Sequence, residues 1–201
     1  RNVPALSAGP YETRPYFEST YLNTISNMPG GRNLAVLTRF LASAAAALGA
    51  EKTDEETIWR AVGAAVKSAQ GKEPPDGGLR VDTLFYPTGN RLRGGSIAAI
   101  RPDNFELGAL FCEAYRDMAR IYAAHVPLLS GGTMPKGLVF SGGVSWKNPD
   151  LVAAAAKEMG LPYRLSALPN EALGGLYRLS LAACGQIATL AQQPCRRLKP
   201  D

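Results

Sequence analysis

The chain has 201 residues, 46% hydrophobic and 19% charged, an ordinary globular composition in which one core can hide about 70% of the unfolded surface. No apolar run reaches the roughly 18 residues of a membrane span, and the richest stretch, Leu41 to Leu48, is mostly alanine, so a soluble chain without a membrane partner is expected. The formal net charge of +5 is scattered, apart from Arg196, Arg197 and Lys199 at the end, and no aromatics interleave it, which argues against a nucleic-acid partner.

The first residue is Arg1, and "RNVPALSAGPYETRP" has no apolar signal region, so the chain reads as cut from something longer. Three cysteines, Cys112, Cys184 and Cys195, show no metal spacing and cannot all pair, which fits a reducing, cytoplasmic compartment. Cys112 and Cys184 fall on apolar helix faces and read as core residues.

In chain order, Tyr21 to Asn27 alternates as a strand, "MPGGRN" breaks it, and "LAVLTRFLASAAAALGA" has helical period. Thr53-Asp54-Glu55-Glu56 has cap chemistry and opens a helix through about Gln70, with Ile58, Ala61, Val62, Ala65 and Val66 on its buried stripe. "GKEPPDGG" is a loop, and strands follow at Leu79 to Tyr86 and Ser96 to Ile100, separated by "PTGNRLRGG".

Pro102-Asp103-Asn104 enters a long helix whose core face is Leu107, Leu110, Phe111, Ala114, Tyr115, Met118, Ile121 and Tyr122. The lone histidine, His125, closes that helix with its polar tip at the last carbonyls. A Ser-His-Asp mechanism would have to run through it and is disfavoured. "SGGTMPKG" leads to an apolar strand, Leu138 to Phe140, that stops at "SGGVSWKN" before an alanine-rich helix beginning near Pro149.

After that helix, "GLPYRLSAL" reads as a strand or extended segment, and "PNEALGGLYRLSLAACG" as a helix carrying Gly174 and Gly175 early in its course. Each mid-helix glycine costs about 1 kcal/mol relative to alanine, so this pair suggests close packing by another helix or by the flat face of a ligand. The alternation of helix and strand argues an α/β fold with helices covering a mixed sheet.

Gly30-Gly31 and Gly142-Gly143 both stand at strand-to-helix junctions, where glycine admits close backbone approach and a helix N-terminus favours a phosphate. Open α/β sheets place ligands at such carboxyl ends of strands. Asp76, Asp82 and Asp103 sit in turns or at strand edges and read as solvated or capping groups rather than as a catalytic base.

With these segments in hand, the chain resembles the C-terminal domain of the FGGY carbohydrate kinases. "SGGVSWKN" followed by a helix and "MGLPYRLSALPNEALGGLYRLSLAACG" is similar to that family's closing signature. "GGLRVDTLFYPTGNRLRGGSIAAIRPDN" and "RPYFESTYLNTISNMPGGRNLAVLTRFL" are similar to its earlier segments, in the same order, and the opening is most like the sedoheptulokinase branch.

The resemblance implies an actin-like, ribonuclease-H-type ATPase fold, with residues 1–201 a single C-terminal lobe and the N-terminal lobe and the start of this one outside the chain. It implies a cytoplasmic transferase of carbohydrate metabolism that uses ATP and Mg²⁺ on a sugar, favoured as sedoheptulose or a related ketose. Xylulose, ribulose and glycerol are alternative substrates. A non-catalytic nucleotide-binding or interaction module of the same fold is the alternative function. The partners implied are the sugar, ATP and the N-terminal lobe, and a homodimer is left open.

By position, Gly142 and Gly143 would lie against adenosine and the α-phosphate, Lys147 or Asn148 near the base or ribose, and Gly30 and Gly31 on the other side of the nucleotide. Ala35 stands where some relatives have a glutamine, and Gly175 where many have alanine. No catalytic residue is expected in the chain: the family's Asp base would lie upstream of Arg1, so these residues by themselves are expected to be inactive.

Overall fold

The computed structural model describes residues 11–16, 20–26, 28–50, 53–71, 78–86, 94–130, 134–168 and 170–190. Most of the loops read at "GKEPPDGG" and "PTGNRLRGG", with Asp76, Cys195 and the C-terminal basic cluster, lie outside them. The order is β1 (Glu12–Pro15), β2 (Tyr21–Thr24), α1 (Gly31–Ala47), α2 (Glu55–Ala69), β3 (Arg80–Asp82), β4 (Ser96–Ala98), α3 (Leu107–Leu129), β5 (Leu138–Phe140), α4 (Gly142–Lys147), α5 (Pro149–Met159), β6 (Tyr163–Leu165) and α6 (Glu171–Ala183). The chain is therefore mixed α/β. In place of one mixed sheet, the described residues form three two-stranded sheets: β1-β2 and β3-β4 antiparallel, and β5-β6 parallel. No helix among the described residues is long and apolar enough to cross a membrane.

The chain divides into two compact units, the first comprising Arg1–Ser26, Val126–Pro149 and Leu161–Asp201, the second Asn27–His125 and Asp150–Gly160. The second holds the main core. Helix α2 starts because the Asp54 carboxylate accepts from the Thr57 N–H at 2.6 Å, and Glu55 and Glu56 place negative charge in the first turn. Its buried stripe is Val62 and Val66; Ile58 and Ala65 are half-buried, whereas Ala61, expected on that stripe, is exposed because the stripe is narrower than the apolar spacing suggests. Helix α3 buries Leu110, Phe111, Ala114, Tyr115 and Met118 as its period dictates, while Leu107, Ile121 and Tyr122, expected on the same face, are half-buried; Leu34 and Leu37 of α1, Leu79, Val81 of β3 and Leu151, Val152, Ala155 and Ala156 of α5 are buried too. Phe111 meets Trp59 and Tyr115 edge-on, with centroids 6.0 and 6.1 Å away.

Helix α3 begins at Leu107, later than the Pro102 entry suggested. The buried Asn104 is used in the turn before it: its amide oxygen accepts from Arg101 N–H at 2.8 Å and its NH₂ donates to the Ala99 carbonyl at 3.0 Å. At the other end α3 runs one turn past His125, through Pro127. The His125 Nδ1–H donates to the Ile121 carbonyl at 2.6 Å, a back-bond within the helix rather than a closing cap.

In the first unit, β1 and β2 form a hairpin pairing Glu12 with Thr24 and Pro15 with Tyr21. Helix α6 opens on Asn170, whose side chain accepts from Leu173 N–H at 3.0 Å. Gly174 leaves room for the Leu168 side chain, since a Cβ there would fall 2.4 Å from Leu168 Cδ1, while a Cβ on Gly175 would meet nothing within 4 Å. The glycine pair is thus explained, at its first member, by the segment that leads into the helix. Cys184, expected in the core, is exposed at the C-cap of α6 because no residue of that helix is buried; Cys112 is half-buried. Burial pushes the Cys112 thiol pKa up.

Candidate functional site

The turn after β5 belongs to the first unit. Leu138, Val139 and Phe140 pair in register with Tyr163, Arg164 and Leu165, and the rings of Phe140 and Tyr163 meet edge-on at 5.8 Å. Ser141 is extended, and Gly142 then takes φ +79°, the left-handed region that a Cβ disfavours. That conformation is what demands glycine at 142. At Gly143 a Cβ would meet no atom within 4 Å, so the backbone there is open on the side a Cβ would occupy.

The alanine-rich helix begins at Pro149, as expected, but the glycine pair before it is not simply a turn. The pair opens the six-residue α4, and α5 begins afterwards at Pro149. The cause is local: the Ser145 hydroxyl donates to the Ser141 carbonyl at 3.0 Å, and the Asn148 backbone N–H and side-chain NH₂ both donate to the Val144 carbonyl at 3.0 Å, closing a short helix that Pro149 cannot continue. Asn148 is accordingly 6% exposed and serves the backbone, while Lys147 and Trp146 are exposed. Of the two expected base or ribose contacts, Lys147 is the one whose side chain reaches solvent.

Gly30 and Gly31 belong to the second unit. Gly30 is the extended N-cap residue of α1; its N–H donates to Asn33 Oδ1 at 3.2 Å, and its carbonyl accepts from Asn33 and Leu34. A capping side chain is absent by definition, so half of a capping box is formed. The buried Asn33 also donates to the Thr83 carbonyl at 2.5 Å, and Thr83, fully buried at the end of β3, donates its N–H and its hydroxyl to Asp117 Oδ2 at 2.8 and 2.6 Å. A polar chain thus ties the start of α1 to β3 and α3. Sequence reading missed Asn33, Thr83 and Asp117 because they lie 50 and 34 residues apart; the signal present was an asparagine at the third helical position, able to serve its own cap.

On the outer face of α1, Arg39 donates to the Tyr86 hydroxyl at 3.0 Å and the Arg32 guanidinium carbon lies 4.5 Å from the centre of the Tyr86 ring. The Arg39 hydrogen bond, with the charges of both arginines, lowers the Tyr86 phenol from its ordinary pKa. These groups line an open groove of about 530 Å³ with Ala35, Ala42, Thr53 and Glu55. Among the described residues neither Arg32 nor Arg39 pairs with a carboxylate. Ala35, where the resemblance implied a missing hydrogen bond, is part of this lining.

The aspartates behave as expected of capping and solvated groups where they are described: Asp82 Oδ1 accepts from Leu84 N–H at 3.1 Å, and Asp103 is exposed in a turn. No group of three or more His, Cys, Asp or Glu among the described residues could hold a metal ion. The structure thus brings Gly142, Gly143, Lys147 and Asn148 into one turn of the first unit, and Gly30 and Gly31 into the α1 cap of the second. No family model, curated protein or solved structure matches the chain.

Proposed function

We propose that the chain is the C-terminal, nucleotide-binding lobe, of actin-like fold, of a cytoplasmic ATP-dependent carbohydrate kinase that passes the γ-phosphoryl group of MgATP to a hydroxyl of a ketose, with sedoheptulose favoured. The observation that carries this reading is the turn after β5. A left-handed Gly142 and an uncovered Gly143 follow directly on a strand of the parallel pair, the position at which α/β folds admit a nucleotide. Gly142 and Gly143 would lie against the adenosine and α-phosphate, with Lys147, exposed at the end of α4, near the base or ribose. The sugar contacts and the Asp that takes the hydroxyl proton would come from the N-terminal lobe, since phosphoryl transfer depends on positioning and charge stabilisation between lobes.

Calorimetric titration of the chain with MgATP and MgADP tests the reading. Because a Cβ at 143 would meet no other part of the fold within 4 Å, Gly143→Val is placed to report a clash with ligand, and an unchanged melting curve separates that from a change in the fold. Saturable binding that disappears in Gly143→Val and weakens in Lys147→Gln is the expected outcome. Binding unaffected by Gly143→Val would remove the nucleotide from this turn, and sugar phosphorylation by these 201 residues alone would overturn the assignment of the base to another lobe.

A further inference from the structure

We propose that the groove along α1, lined by Arg32, Arg39 and Tyr86 and also by Glu55 and Thr53, binds a small hydroxylated phosphomonoester. The inference does not depend on the nucleotide reading, because every residue it uses lies in the second unit and none belongs to the Gly142-Gly143 turn.

Arg32 and Arg39 are seven residues apart on α1, two helical turns, and so project from one face. Long arginine side chains on an exposed helix ordinarily sweep many rotamers. Here one phenol holds both: its ring lies under the Arg32 guanidinium and its hydroxyl accepts from Arg39 Nη2, while Arg39 Nε is fixed on the Ala35 carbonyl at 3.0 Å. Two positively charged planar forks are thereby held beside an open cavity, and neither forms an ion pair with a carboxylate of the described residues. A guanidinium presents paired N–H donors that match the oxygens of a phosphate, and a phosphomonoester carries up to two negative charges near neutral pH, equal to the two arginines.

Two other lining residues, Glu55 and Thr53, select differently. Glu55 would repel a second anionic group, whereas a carboxylate has about four acceptor sites and can take hydroxyl donors even while it accepts from Trp59 Nε1 at 3.2 Å. Thr53 is a further hydroxyl of the lining, and Ala35, Ala42 and Ile58 are its apolar residues. A ligand with one phosphate and a hydroxyl-bearing carbon chain can use both the arginines and the Glu55 carboxylate; inorganic phosphate uses the arginines alone; an uncharged polyol loses the arginines.

The test is a calorimetric titration of the chain with glycerol 3-phosphate, inorganic phosphate and glycerol. Glycerol 3-phosphate is expected to bind saturably and more tightly than phosphate, and glycerol not at all. Arg32→Gln and Arg39→Gln should each weaken glycerol 3-phosphate about tenfold or more, as loss of a charge-assisted hydrogen bond requires. Arg39→Lys, which keeps the charge and loses the fork, should recover part of that loss, and Glu55→Gln should shrink the preference over phosphate. Gly143→Val should change none of these values, which separates this site from the nucleotide turn. Absence of saturation up to about 10 mM glycerol 3-phosphate, a free energy weaker than roughly 3 kcal/mol, would overturn the proposal. So would undiminished binding in the Arg32→Gln/Arg39→Gln double variant. Both arginines are exposed, so an unchanged circular dichroism spectrum and melting curve are expected to accompany any loss.

Discussion

Ala99 shows how one residue's geometry sets a stability cost. It takes φ +57° without being glycine, a conformation that costs an L-residue about 1–2 kcal/mol. Asn104 holds it there through the Ala99 carbonyl, so the turn is over-determined by a buried side chain rather than by the local sequence. Ala99→Gly should relieve that cost against the extra backbone entropy of glycine, for a net gain of roughly 0.5–1 kcal/mol in urea denaturation. A loss would mean that the turn gains more from the methyl group than it loses to strain. Two tyrosines set a pH dependence at the same scale. Burial raises Tyr115 above its ordinary pKa of 10.0 and pushes Tyr122 up to about 12, and the Tyr122 hydroxyl donates to the Pro29 carbonyl at 2.5 Å, a bond its phenolate could not make. The unfolded chain then releases these protons first, so their contribution is complete below pH 10 and is lost as pH rises through about 12. Stability measured from pH 9 upward should fall, and Tyr122→Phe should flatten the fall; a curve level to pH 12 would contradict the burial of these phenols.

At the level of elements, α2 and α3 approach closely at Gly108. A Cβ on Gly108 would fall 2.3 Å from the Ala65 carbonyl oxygen and 2.9 Å from Ala69 Cβ, so the two helices touch backbone to backbone. Alanine at 108 gains helix propensity of about 1 kcal/mol but forces rigid main chain apart, and overpacking in a core costs about 1–3 kcal/mol. Gly108→Ala should therefore destabilise overall, seen as a lower melting temperature; an equal or higher one would show that the helices can separate freely. The same helices explain what the sequence discloses. In α1, α2, α3 and α5 apolar residues recur at three and four because one face meets the core, so these helices are legible, and Asp54 marks the start of α2 by its own chemistry; α6 carries the same spacing with no residue buried. The missed elements lack such a signal. Helix α4 is shorter than two turns and begins with two glycines, while β1 carries Glu12, Arg14 and Pro15, residues that strands generally disfavour, and is held by its partner instead. Strands predicted at five to eight residues shorten to three or four because the pairing partner, which alternation cannot reveal, sets their length. In the candidate site the need for glycine at 142 was legible; the groove beside Tyr86 was not, since a phenol and two arginines spread over 54 residues meet only through the fold.

Across the molecule, apolar burial is distributed unevenly between the two units. Every buried apolar side chain named for the core, except Ile187, lies in Asn27–His125 or Asp150–Gly160. The other unit has large apolar side chains in solvent: Leu176 of α6 is 61% exposed, Leu173 57%, Val139 of β5 55% and Tyr163 of β6 50%. Burying such a side chain contributes about 1.5–3 kcal/mol, so the described residues of the first unit supply fewer of the terms that hold the second together. Hydrogen bonding does not compensate, because a two-stranded sheet is marginal without a covered face and parallel pairs are normally buried on both. The consequence is a gradient of local stability within one chain. Native-state hydrogen exchange should find the amides of α2 and α3 around Val62, Val66 and Met118 the slowest, opening only with the whole second unit. Those of α6 around Leu176 should exchange through local opening at a free energy several kcal/mol lower. Phe111→Ala, expected to cost about 3–5 kcal/mol as a buried aromatic, should then accelerate exchange in α2 and α3 while leaving α6 near its original rate. Protection in α6 equal to that in α3, falling by the same amount in Phe111→Ala, would instead mean that both units unfold in one cooperative step despite the exposed apolar surface.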